Sequence, residues 1–145
     1  MQGQPIEILV VEDNEDDVLL LQESFADSRL VNVLHAVSDG EEAMQFLRRE
    51  GPYAECKRPG LVLLDINMPR KNGFEVLKEM KDDPSLRCIP VVMLTTSSRE
   101  VDIMRAYTNG ACSFISKPVD FDKLKEVAKQ FALYWSLISH LPRGE

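Results

Sequence analysis

The segment Leu61-Val62-Leu63-Leu64-Asp65 runs through four apolar residues without polar alternation and closes on an aspartate. A strand that is apolar on both sides has to be covered on both sides, which a parallel sheet flanked by helices provides. Short β-branched or leucine-rich runs also occupy Ile6 to Val11, Val31 to Val37, Val91 to Leu94 and Cys112 to Ile115, so five strands are expected. Between them apolar residues recur at helical spacing: Val18, Leu21 and Phe25; Ala43, Phe46 and Leu47; Phe74, Leu77 and Met80; Val101, Met104 and Tyr107. The order is βαβα throughout. Ser38-Asp39 and Asn72-Gly73 read as helix-entry or turn signals, Asn109-Gly110 as a helix exit, and the stretch from Gly51 to Gly60, with Pro52 and Pro59, as a loop.

In an open parallel sheet the carboxyl ends of the strands share one edge, and ligands bind in the crevice there. Glu12-Asp13, Asp65, Thr95 and Lys117 each follow one of the expected strands. Three acids, one hydroxyl and one lysine therefore converge. Two carboxylates about 5 Å apart repel by about 3 kcal/mol at an effective dielectric of about 20, so a cluster of three calls for a cation or a proton. A hard divalent metal such as Mg²⁺, which takes oxygen ligands and keeps several waters, is the simplest answer. Asp13 and Asp65 are the expected direct ligands, with Glu12 acting through water or orienting the metal. The first strand lacks the glycine-rich turn that brings backbone amides onto phosphate, which argues against a flavin or dinucleotide site.

Asp65 is held at a strand end beside the tight loop Ile66-Asn67-Met68-Pro69. A carboxylate so placed can attack a phosphoryl group to give an aspartyl phosphate, with the metal offsetting the charge that repels the incoming group. Lys117 precedes Pro118, which favours an extended conformation and fixes where the ammonium points. Lys117, Thr95 and backbone amides near Asn67 are the groups available to stabilise the added negative charge.

A length of 145 residues fits one domain with a full core, and the whole chain, 1–145, is read as one unit. The formal net charge of −7 argues against a nucleic-acid partner, since basic residues adjoin only in short pairs such as Arg48-Arg49. No apolar run approaches a membrane span and Met1 to Pro5 lacks the features of a signal peptide, so a cytoplasmic location is expected. Cys56, Cys88 and Cys112 are odd in number and show no metal-type spacing, in keeping with a reducing compartment. His35 and His140 are read as bystanders.

Taken together, Val10-Val11-Glu12-Asp13, the segment from Leu63 to Pro69 with Gly73, Pro90 to Thr95 and Ser116-Lys117-Pro118 resemble the receiver domain of bacterial response regulators over about residues 6–130. The resemblance implies an α/β, flavodoxin-like (βα)5 fold: a doubly wound five-stranded parallel sheet in the order 2-1-3-4-5. It also implies phosphorylation of Asp65 by the phosphohistidine of a sensor histidine kinase, dependent on Mg²⁺ held by Glu12, Asp13, Asp65 and the Asn67 carbonyl. Thr95 and Lys117 would then engage the phosphoryl oxygens. Phe114, three residues before the lysine, takes the place of an aromatic that turns inward when the threonine moves toward phosphate; many members have tyrosine there, so switching here rests on packing without that hydroxyl. Asn67 and Ser97 occupy the positions that tune loss of phosphate, and Thr96 stands where alanine is frequent. The acidic run from Glu12 to Asp17, with Tyr134-Trp135 and Leu141-Pro142, is similar to the small stand-alone regulators paired with bacterial phytochromes.

The last helix, from about Asp120, carries an apolar seam of Phe121, Leu124, Val127, Phe131, Trp135 and Ile138. A helix of about 20 residues spans about 30 Å, more than five short strands need for cover. Its extension, about 131–145, is expected to overhang and to serve a homodimer through the face formed by the fourth helix, the fifth strand and the last helix. The expected function is a phosphoacceptor switch without an output domain. It is not an enzyme acting on a separate substrate, although it supports its own phosphotransfer and slow autodephosphorylation, and it signals by altered protein binding. A Mg²⁺-dependent aspartate-nucleophile phosphatase is the enzymatic alternative, but it needs a second aspartate two residues after the nucleophile, where this chain has Asn67. A phosphate-independent binding module is the third reading, and the presence of Glu12, Asp13, Asp65, Thr95 and Lys117 weighs against it.

Overall fold

The structure is a computed structural model that describes residues 5–26, 32–66, 68, 71–95, 100–111, 113–116, 122 and 125–130, by backbone alone at 95, 100–102, 106, 113 and 116. Along the chain run β1 (Ile6–Val11), α1 (Glu15–Ala26), β2 (Asn32–Val37), α2 (Gly40–Leu47), a 3-10 turn (Gly51–Tyr53), β3 (Leu61–Asp65), α3 (Gly73–Asp82), β4 (Val91–Thr95), α4 (Glu100–Thr108) and β5 (Ser113–Ser116). Residues 125–130 are helical as well. The five strands form one sheet in the order β2-β1-β3-β4-β5, and every neighbouring pair is parallel. This is the expected flavodoxin-like architecture.

Sequence alternation along the strands sorts the core into two layers, one on each face of the sheet. Leu9, Val11, Val62, Leu64 and Met93 turn to α2 and α3, where they meet Ala43, Phe46, Leu47, Val76, Leu77 and Met80. Ile8, Val10, Leu61, Leu63 and Leu94 turn the other way, to Leu21 and Phe25 of α1 and to Ala128. All five residues of β3 are buried, as a run without polar alternation demands. β2 is half-open because it stands at the sheet edge.

Local signals set the helix starts. Asn14 Oδ1 accepts from the backbone N–H groups of Asp16 and Asp17 at 2.9 and 3.2 Å, and Asp39 Oδ1 accepts from Glu42 N–H at 2.8 Å. Asn72 and Glu75 form a reciprocal capping box at the start of α3. Gly110, at φ +100°, ends α4.

Three strand ends differ from the sequence reading, one of them Ser116, which closes β5 one residue beyond Ile115. Asp65 and Thr95 are the last paired residues of β3 and β4, opposite Leu94 and Ser116, and do not lie past the strands. Ladder pairing depends on backbone groups, so a polar terminal side chain does not end it. The helical spacing of Met104 and Tyr107 locates α4, yet both side chains are exposed, at 64% and 48%. Val31, Cys112 and the extension 131–145 lie outside the described residues.

Candidate metal and phosphoacceptor site

The site begins at the central strand β1. Its last residue, Val11, is paired with Val37 on one side and Leu64 on the other, so the chain leaves the sheet beside the end of β3. Glu12 N–H then donates to the Val37 carbonyl at 3.0 Å, which carries the direction of the strand one residue further. Glu12 Oε2 accepts from the Asn14 backbone N–H at 3.2 Å, and Asn14 caps α1. The turn from strand to helix thus presents Glu12 and Asp13 at the carboxyl edge of the sheet.

Asp65 reaches the same edge from β3. Ile66 N–H donates to the Leu94 carbonyl at 3.0 Å, and Gly73 N–H closes the following loop on the Ile66 carbonyl at 2.9 Å. The result is one cluster: carboxylate oxygens of Glu12, Asp13 and Asp65 lie within 4.8 Å of one another. Glu12 and Asp65 are almost fully buried, whereas Asp13 is exposed. The glutamate expected to act at one remove is therefore withdrawn from solvent beside Asp65, and Asp13 is the member facing outward.

Two buried carboxylates beside a third concentrate negative charge that a bound cation would offset. The donor set is hard oxygen throughout and so fits a divalent cation of the Mg²⁺, Mn²⁺ or Ca²⁺ kind. Asp13, the exposed member, marks the side of the cluster that solvent reaches. Thr95 ends β4 in register with Ser116 of β5, which places its backbone at this edge and sets Ser116 immediately before Lys117. Asn67 and Lys117 lie outside the described residues. Phe114, expected as a switch, is half-buried on β5 and packs against the α2/α3 side of the core.

Three features escaped the sequence reading. Tyr107 of α4 meets Phe114 edge to face, with ring centroids 6.0 Å apart. Arg105 of α4 lies over the Phe74 ring of α3, 4.1 Å from its centroid. Lys71, on the limb that enters α3, pairs with Glu79, whose other oxygen is 3.6 Å from Arg48. These contacts join residues from different elements, and no local spacing announces them. Among the described residues no helix is long and apolar enough to cross a membrane.

The response regulator receiver domain family matches residues 8–129 of the chain. Response regulator Rcp1 of Synechocystis sp. is 38% identical over 138 residues, which span 95% of this chain and 94% of that protein. Among solved structures, the phosphorylated cyanobacterial phytochrome response regulator RcpA is similar over 97% of this chain and 100% of its own, at 42% identity and a TM-score of 0.82. The Mn²⁺-bound form of Rcp1 is similar over 96% of this chain and 100% of its own, at 38% identity and a TM-score of 0.80.

Proposed function

Because the chain belongs to the response regulator receiver domain family, we propose that it accepts a phosphoryl group on Asp65 from a sensor histidine kinase and signals by altered protein binding. The convergence of Glu12, Asp13 and Asp65 at one sheet edge is the observation that carries this reading. A carboxylate oxygen of Asp65 attacks the phosphorus of the phosphohistidine, the P–N bond breaks, and the imidazole of the kinase leaves. Asp65 is oriented for this by its backbone, which the β4 ladder and the following loop hold on both sides. Glu12, Asp13 and Asp65, with the Asn67 carbonyl, would hold Mg²⁺, which when bound offsets the negative charge of the incoming phosphoryl group. Thr95 and Lys117 are assigned to the phosphoryl oxygens.

Phosphate at Asp65 draws Thr95 toward it, and Phe114 turns into the space released. The exposed side chains of Met104 and Tyr107 make α4, with β5 and the last helix, the surface on which this change is read, by a second copy of the chain in a homodimer. The similarity to RcpA supports a bacterial phytochrome as the phosphodonor. Slow autodephosphorylation resets the switch.

Acetyl phosphate with Mg²⁺ tests the chemistry. Intact-mass measurement is expected to show a gain of about 80 Da, mapped to Asp65 and lost with chelator or in Asp65→Asn. A wild-type protein that stays unlabelled while a known receiver domain labels alongside it rules the reading out.

A further inference from the structure

The limb Lys71–Gly73, which carries the chain from the Asp65 loop into α3, is held by close contact from both sides. On the inner side, a Cβ added at Gly73 would stand 2.4 Å from the Asp65 carbonyl oxygen and 2.8 Å from Ile66 Cα. On the outer side, a Cβ added at Gly40, the first residue of α2, would stand 2.3 Å from the Lys71 carbonyl oxygen, 2.8 Å from Lys71 Cβ and 2.9 Å from Val76 Cγ2. Positive φ occurs at Gly51 and Gly110 and not at Gly40, so what Gly40 supplies is space and not a left-handed backbone. A third tether comes from α3, where Glu79 pairs with Lys71 and is itself 3.6 Å from Arg48, the residue that follows α2. Both ends of α2 therefore bear on the limb, Gly40 directly and Arg48 through Glu79.

We propose that Gly40 and Glu79 are positioning residues for the acidic cluster: the limb seated on Gly40 and tied by Glu79 sets, through Gly73, the direction in which Asp65 meets Glu12 and Asp13. This deepens the phosphoacceptor reading and rests on it. A methyl group at position 40 meets backbone at Lys71, so side-chain rotation does not relieve the overlap. One of the two partners has to move. α2 is anchored by buried Ala43, Met44, Phe46 and Leu47, and by Glu42, which accepts from Ser38 N–H at 2.9 Å and Tyr53 O–H at 2.6 Å. Lys71 and Asn72 are only half-buried, so the limb yields, and it yields toward Asp65.

The test compares Gly40→Ala with Met44→Ala, which weakens the core packing of the same helix but adds no atom against Lys71. Mn²⁺ alone is titrated by calorimetry, and amide exchange at Gly73 is followed in the metal-free protein. Gly40→Ala is expected to weaken Mn²⁺ binding about tenfold and to speed exchange at Gly73, while Met44→Ala leaves the affinity unchanged. Wild-type affinity in Gly40→Ala, or equal loss in both variants, overturns the proposal. Glu79→Gln loosens Lys71 without adding an atom and decides the matter if Gly40→Ala does not fold: a loss of about threefold is expected, and no loss overturns the proposal. Failure of the wild-type protein to bind Mn²⁺ counts against the phosphoacceptor reading, whereas exchange at Gly73 still decides the role of Gly40.

Discussion

Tyr107 of α4 meets Phe114 of β5 edge to face, with ring centroids 6.0 Å apart and planes at 84°. Phe114 is half-buried against the core and Tyr107 is 48% exposed, so the pair links the interior to the surface. An edge-to-face contact contributes about 0.5–1.5 kcal/mol and is lost when either ring turns. If Phe114 turns inward on phosphorylation, Tyr107 loses its partner. Beryllofluoride with Mg²⁺ is expected to shift the Tyr107 ring resonances in wild-type protein and to leave them unmoved in Phe114→Leu, as read by proton NMR. An unmoved Tyr107 in the wild type removes Phe114 from the switch.

If the crowded carboxylates hold Mg²⁺, its binding is expected to have a measurable effect on stability. A ligand that binds only the native state at about a hundredfold excess over its Kd adds about 2.7 kcal/mol, which for a chain of this size raises Tm by roughly 5–10 °C. Asp13→Asn removes one of the repelling charges, so it is expected to raise the metal-free Tm and to cancel most of the Mg²⁺ gain. Thermal scans with Mg²⁺ and with chelator read both effects. A full Mg²⁺ gain in Asp13→Asn would place the metal elsewhere.

Tyr53 O–H donates to Glu42 Oε2 at 2.6 Å, and this bond, with burial second, pushes the phenol up to about 12 from its usual 10. The folded protein thus holds the phenolic proton more tightly than the unfolded chain does. The resulting stability is complete below pH 10 and fades as pH rises toward 12. Tyr53→Phe is expected to cost about 1 kcal/mol at neutral pH and progressively less above pH 10. Urea unfolding of both proteins along a pH series checks the sign, and a gap that widens with pH contradicts it.

Leu63 is fully buried on the central strand β3, while Leu34 on the edge strand β2 is only partly buried. Leu63→Ala is expected to cost about 2–5 kcal/mol, and Leu34→Ala clearly less. Chemical denaturation of the two variants ranks them. Equal costs would mean that the edge strand is as tightly packed as the centre.

Much of this fold was legible because its signals are local. The apolar run from Leu61 to Leu64 demanded cover on both sides and received it, and the caps at Asp39 and Asn72 start their helices where those residue types predict. Glu12, Asp13 and Asp65 could be placed together because parallel topology puts successive strand ends on one edge. What stayed hidden depends on pairs brought together by packing. Helical spacing located Met104 and Tyr107 but did not show that they face solvent, because periodicity records which residues share a face and not what covers that face. Leu86, fully buried in the turn after α3, belongs to no periodic run. Nothing local in the sequence marks Gly40 as constrained, and only the approach of Lys71 shows why nothing larger fits.

The pairing of β1 with β3 has a kinetic consequence. Ile8 pairs with Leu61 across the stretch of chain that forms α1, β2 and α2, and contacts so distant along the chain form slowly. Glu12 and Asp65 are brought close by that same pairing, so a chain that has collapsed but not yet registered β1 on β3 carries its acids scattered. Recovery of cation affinity during refolding would therefore time the final docking of the sheet rather than the first burial of apolar surface.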